Sequence, residues 1–223
     1  MKKTLLSLFA LFITTMAFAY YDAEIDGIYY DIVHMGYGQV YAAVSNDGYI
    51  KDGAGYSQTE IVIPENITLD GVEYSVNRIL SEAFYGCKNL TKITILSSLS
   101  IDDNAFYGCE SLTAIVWDGE HFSTSGLPNS VESIILGNNV REIGSFSGLD
   151  KLTSITIPIN VSRIYYKAFA NAKNITSIEW NAKRLNSIYG YGDNDDMYTS
   201  ILPKSVKKII FGDGVESIFS KFM

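Results

Sequence analysis

The sequence predicts a repeat solenoid: short parallel strands, one per turn, mostly β with little helix, covered at the N-terminal end by a β-hairpin cap. Three observations lead there. One six-residue pattern recurs six times in the 223 residues. A second apolar pair, often followed by an aromatic residue, recurs between the copies. Within the copies, apolar residues alternate at the strand period, with every second side chain on one face.

The first pattern is an apolar residue, two polar or small ones, Ile, any residue, then an apolar one. It reads Leu90-Thr-Lys-Ile93-Thr-Ile95, Leu112-Thr-Ala-Ile115-Val-Trp117 and Val131-Glu-Ser-Ile134-Ile-Leu136. It returns as Leu152-Thr-Ser-Ile155-Thr-Ile157, Ile175-Thr-Ser-Ile178-Glu-Trp180 and Val206-Lys-Lys-Ile209-Ile-Phe211. The starts are 22, 19, 21, 23 and 31 residues apart, and a partial copy, Ile61-Val-Ile63-Pro64, precedes them. Its β-branched alternation predicts one strand per turn. Ile93, Ile95, Ile155 and Ile157 then point inward. Lys92, Thr94, Ser154, Thr156, Ser177, Glu179 and Lys208 point out.

The second pattern appears as Val76/Ile79 with Ala83-Phe84, and as Leu99/Ile101 with Ala105-Phe106. Val140/Ile143 continues to Phe146, and Val161/Ile164 to Ala168-Phe169. Each turn thus carries two apolar segments and an aromatic plug. One turn alone cannot bury them; stacked turns bury them as one continuous core.

A longer repeat lies over the short one. The stretch Leu127 to Ile143 matches Leu202 to Ile218 at nine of 17 positions, and each copy follows a strand ending in Trp117 or Trp180. From Trp to Leu-Pro is 10 residues in the first copy and 22 in the second, which places an insertion within Asn181 to Ile201.

The N-terminal part differs. Lys2 and Lys3, the apolar run Leu5 to Phe18 and the small-residue site Ala17-Phe18-Ala19 make the three-part pattern of a cleaved signal peptide over residues 1–19. The run is shorter than the roughly 20 residues a spanning helix needs, and no Cys follows it for lipid anchoring. Over residues 20–60, Tyr29-Tyr-Asp-Ile-Val33 and Gln39-Val-Tyr-Ala-Ala-Val44, separated by Gly36 and Gly38, read as a β-hairpin. It is the expected N-terminal β cap. The repeats then fill residues 61–223 in six to seven turns, the last incomplete.

The run Ile79-Leu-Ser-Glu-Ala83-Phe84-Tyr-Gly-Cys87-Lys-Asn-Leu90 resembles the BspA-type leucine-rich repeat. So does Ile101-Asp-Asp-Asn-Ala105-Phe106-Tyr-Gly-Cys109-Glu-Ser-Leu112. Ala-Phe, Gly-Cys, Leu-x-x-Ile and the Ile157-Pro158 turn recur in register from about Ile61 onward. After Phe169 the match weakens, where Ala-Asn-Ala-Lys-Asn replaces Gly-Cys. The resemblance implies a leucine-rich-repeat solenoid. It also implies a surface or secreted protein, commonly bacterial, that uses the array for adhesion or protein recognition.

Composition narrows the partners. The formal net charge is −8, which disfavours nucleic acid and anionic lipid surfaces. The two cysteines, Cys87 and Cys109, occupy the same slot of adjacent turns. A bridge is within reach there, but side chains stacked in parallel favour a free, buried pair.

Catalytic constellations are missing. Only His34 and His121 exist, one in the cap and one in a connecting loop. Gly144-Ser-Phe-Ser-Gly148 has Phe146 where a nucleophile elbow needs Ser. No H-E-x-x-H, phosphate loop or dinucleotide fingerprint occurs, and zinc lacks a ligand set. Asp193-Asn-Asp-Asp196 reads as a solvated turn in preference to a calcium loop, which requires more oxygen ligands. The chain reads as a non-enzyme with no cofactor and no metal.

Three functional readings follow. The first is an exported interaction or adhesion module that binds a protein or glycan on the solenoid surface. The second is a carbohydrate-binding cell-surface protein using exposed aromatics from its 16 Tyr. The third is a truncated structural repeat fragment. The expected locations are the medium, the cell surface or the periplasm. Tyr189, Tyr191 and Tyr198, interleaved with Asp193, Asp195 and Asp196 in the insertion, form the expected binding loop. Thr156 and Glu179 add a secondary surface. A weak homodimer through the C-terminal strand edge is a further expectation.

Overall fold

The computed structural model describes residues 21–48, 55–165, 168–169, 171–184, 187–189 and 202–217, and only the backbone over 187–189. Strands dominate it. The repeat copies form β4 (Glu60–Ile63), β7 (Lys92–Ile95), β9 (Ala114–Trp117), β11 (Ser133–Leu136), β13 (Ser154–Ile157), β15 (Ser177–Trp180) and β17 (Lys208–Phe211). Four of them pair in parallel in the order β11-β9-β7-β4, and three in the order β13-β15-β17. Register follows the repeat: Ile61, Ile93, Ile115 and Ile134 pair one to the next, as do Ile155, Ile178 and Ile209.

The second apolar pairs form another row of strands. β6 (Val72–Ile79) pairs in parallel with β8 (Ser100–Ile101). Four more, β10 (His121–Ser123), β12 (Glu142–Ser145), β14 (Arg163–Tyr165) and β16 (Ser187–Tyr189), form a parallel sheet. Among the described residues, β8 and β10 are not paired with each other. The row is therefore broken there, in the turn with the shortest spacing, Leu112 to Val131. His121 corrects the sequence reading: it opens a strand, where a loop was expected.

At the N-terminal side, β1 (Ala23–Ile25), β2 (Ile28–His34) and β3 (Val40–Val44) are antiparallel neighbours, with a 3-10 turn over Gly36–Gly38. The hairpin read from Tyr29 to Val44 is thus present. β3 then pairs in parallel with β6, which also pairs antiparallel with β5 (Asn66–Leu69). This joins the hairpin to the second row of strands.

Side chains from both rows form one hydrophobic cluster, from Ile28 to Ala182. Its plugs form a column: Tyr56 against Phe84 at 4.8 Å, Phe84 against Phe106 at 5.1 Å. Beyond the break it resumes with Phe122, Phe146 and Phe169, at 5.0 and 4.7 Å. Phe122 reaches this column from within a strand, whereas Phe84, Phe106 and Phe169 are each the residue after an Ala. Tyr56 ties the hairpin to the stack, since its hydroxyl donates to the Ser45 carbonyl at 2.8 Å and accepts from the Tyr29 amide at 3.1 Å.

The Gly-Cys signature has a steric reason. Gly108 has φ +80°, and a methyl there would lie 3.1 Å from the Cα of Gly86 in the turn below. Both the left-handed backbone and the close approach favour glycine. Cys87 and Cys109 are buried and not joined by a disulfide. The Cys109 thiol lies 3.0 Å from the Phe84 carbonyl oxygen.

Candidate functional site

Strand alternation leaves every second side chain of the first row outside. On β4, β11 and β13 the burial pattern is strictly exposed, buried, exposed, buried. One outward line runs Val62, Thr94, Val116, Ile135, each in register with the next. After the step between β11 and β13 it continues as Thr156, Glu179, Ile210. Val62 and Ile135 are 53% and 59% exposed, although β-branched and apolar. The flanking line carries charge: Lys92 pairs with Glu60 at 3.0 Å, and Lys208 stands beside Ser177. The surface is thus a mixed line, held by a backbone ladder, in which Val62, Ile135 and Ile210 are exposed apolar positions and Thr156 and Glu179 exposed polar ones.

Thr156 and Glu179 lie on this line as the alternation predicts, both exposed, with Thr156 Oγ1 3.4 Å from Glu179 Oε2. Tyr189 is the last residue of β16. Tyr191, Asp193, Asp195, Asp196 and Tyr198 lie outside the described residues, as do residues 1–19, for which a signal peptide is expected, and residues 218–223.

A second group of residues was not foreseen. His121, Glu142 and Arg163 occupy one register line of β10, β12 and β14. The Glu142 side chain is only 11% exposed. Its Oε2 lies 2.8 Å from His121 Nδ1 and accepts from the Tyr165 hydroxyl at 3.3 Å, while Arg163 pairs with its Oε1. A carboxylate at that depth needs such partners, because losing water penalises an unpaired charge. Spacing hides the group: each member is a full turn from the next. Reading the residue just before each inward Phe122, Ile143 and Ile164 would have revealed it.

This carboxylate borders a cleft of about 380 Å³ at the break between β8 and β10. An exposed aromatic pair member occurs elsewhere: Tyr107, largely in solvent, stacks at 5.4 Å on the half-buried Tyr85. Among the described residues no group of three or more His, Cys, Asp or Glu is placed to hold a metal ion. No helix among them is long and apolar enough to cross a membrane.

The sequence matches the family described as BspA type leucine rich repeat region, in six copies over residues 55–126 and 125–211. No curated protein matches it. Among solved structures, a pneumococcal vaccine antigen, PcpA, is similar at 20% identity and TM-score 0.46, over 87% of this chain and 51% of that one. The leucine-rich repeat protein of T. pallidum, TpLRR, is similar at 18% identity and TM-score 0.41, over 86% of this chain and 88% of that one. A leucine-rich repeat protein from Bacteroides ovatus ATCC 8483 gives 18% and 0.33, over 87% and 78%.

Proposed function

Because the chain belongs to the BspA-type leucine-rich repeat family, we propose that it is an exported interaction module that binds a macromolecular partner on the outer face of its first strand row. The observation that supports this most is the outward line from Val62 to Ile135, in register, with exposed apolar residues at both of its ends. Exposed apolar residues gathered in one rigid line mark binding faces more often than they mark ordinary surface. The Lys92–Glu60 pair and Lys208 at its rim add specificity without blocking approach.

Export rests on the leader pattern of residues 1–19 together with the family. The insertion lies within Asn181 to Ile201, after β15 in the chain, and the proposal is that a partner seated on the outer face of the first row also meets it. Tyr189, Tyr191 and Tyr198 are the residues proposed to extend the contact.

The test is a binding screen of the purified chain against matrix and envelope proteins, repeated with a Val62→Glu/Ile135→Glu variant. Both substitutions are on the solvent side, so the fold should persist. A partner captured by the parent and lost by the double variant supports the face. Equal capture by both removes it.

A further inference from the structure

The break in the second strand row is bounded on both sides. The His121 amide donates to Ser98 Oγ at 3.2 Å across it. At the other end, a methyl on Gly126 would lie 2.5 Å from Ile101 Cγ2, and its φ of +79° favours glycine as well. An added strand cannot slip through a gap bounded in this way. What is left is a pocket, at the lower end of the range for small-ligand sites.

Its walls are amphipathic: Leu99, Ile101 and Phe122 supply apolar surface, and Ser100, Ser123 and Ser125 supply hydroxyls. Trp117 lines it too, and carries the second observation. Its side chain is 1% exposed, yet its indole Nε1 finds no hydrogen-bond partner. Trp180 ends the corresponding strand of the later copy, and there the indole N–H donates to the Ala182 carbonyl at 3.2 Å. A buried donor without an acceptor is costly, and one at a cleft wall is satisfied by a ligand oxygen.

Charge decides the ligand class. Glu142 already faces Arg163 and His121, so a cation finds its carboxylate shared. An anion meets the Glu142 carboxylate, which lines the cleft where Arg163 does not, and a chain of net charge −8. An acyl chain would cover the Trp117 N–H and Glu142 without bonding either. A neutral ring with an apolar face and several hydroxyls satisfies all three constraints. Its hydroxyls bond the carboxylate, the serines and the indole, while its C–H face rests on the apolar wall.

We propose that this cleft is a binding site for a neutral sugar ring, with Trp117 Nε1 donating to a sugar oxygen and Glu142 accepting from a hydroxyl. It is separate from the outer face of the first row, and neither reading depends on the other.

The test follows the two indole N–H signals of the ¹⁵N-labelled protein, assigned with a Trp180→Phe variant. The probes are glucose, galactose and N-acetylglucosamine, with glucosamine and glucuronate as charged counterparts. The expected result is a saturable shift of the Trp117 signal with at least one neutral sugar, while the Trp180 signal stays in place. Ser100→Tyr or Ser125→Tyr, each filling the cleft from an exposed position, should abolish the shift; whichever variant keeps the native spectrum is used. No Trp117 shift with any neutral sugar overturns the proposal. So does a response to the charged sugars alone, or full binding by the filled variant.

Discussion

Phe84 and Phe106 lie face to face, ring centroids 5.1 Å apart and planes 6° from parallel. They hold the same position in consecutive turns, so their contact transmits the repeat through the core. Both are essentially buried. Phe106→Ala should therefore cost about 3–5 kcal/mol, as aromatic truncations in cores do. Tyr107 is next in sequence and also stacks on its counterpart, Tyr85, but mostly in solvent. Tyr107→Ala should cost no more than about 1.5 kcal/mol, the upper end for an aromatic pair contact. Urea unfolding of the two variants checks the contrast. Equal losses would mean that the column is not what holds the turns together.

A second contrast tests the strand register. Ile155 is 3% exposed between the two rows, and Thr156 points out on the outer face of the first row. Ile155→Ala is expected to lose about 2–5 kcal/mol. Thr156→Ala should stay within about 0.5 kcal/mol, the range for surface changes that break no special feature. If denaturant melts gave the reverse order, the inward and outward assignments would have to be exchanged.

The reason these strands were legible is local. A period of two over four residues, repeated in Ile155-Thr-Ile157 and its copies, fixes which side chains go inside without knowledge of the partner strand. Phe84, Phe106 and Phe169 were legible for the same reason, since Ala-Phe recurs at a fixed offset. The Glu142 group was not. His121, Glu142 and Arg163 come together only because turns stack, and nothing near any of them in the chain announces the others. His121 was further obscured because its turn lacks Ala-Phe and is short, so it read as a connection. The cleft has the same origin: Phe122 fills the plug position from its strand, and β10 stays unpaired with β8. A deletion in one repeat is visible in sequence; the opening it leaves is a matter of three-dimensional closure.

The cysteines give a third expectation. The Cys109 thiol has its pKa raised, chiefly by its hydrogen bond with Cys87 and then by burial. Thiolate, the reactive form, is therefore scarce at neutral pH. A thiol reagent such as Ellman's should titrate no cysteine promptly in the native protein, and both Cys87 and Cys109 once denaturant is added. Prompt reaction in the native state would show that this part of the stack opens easily. Absence of reaction after unfolding would mean that the two sulfurs had been joined.

The fourth concerns pH. Asp31, on the hairpin strand β2, has its carboxyl pKa raised above 3.8, mainly by burial and further by the nearby Asp22 carboxylate, against a hydrogen bond from Ser45. A raised acid pKa means that the folded state keeps the proton at a pH where the unfolded chain has released it. Stability then increases as pH falls through the folded value, and stops changing below the unfolded one. At neutral pH the ionised Asp31 works against folding. Asp31→Asn removes that charge while keeping a side chain of the same shape that can still pair with Ser45. The variant should melt above the parent at neutral pH, and the gap should close as the parent's carboxyl becomes protonated in acid. Thermal melts of both proteins across that range decide it. A gap that is independent of pH, or a parent that is the more stable of the two at neutral pH, would show that the Ser45 hydrogen bond outweighs burial.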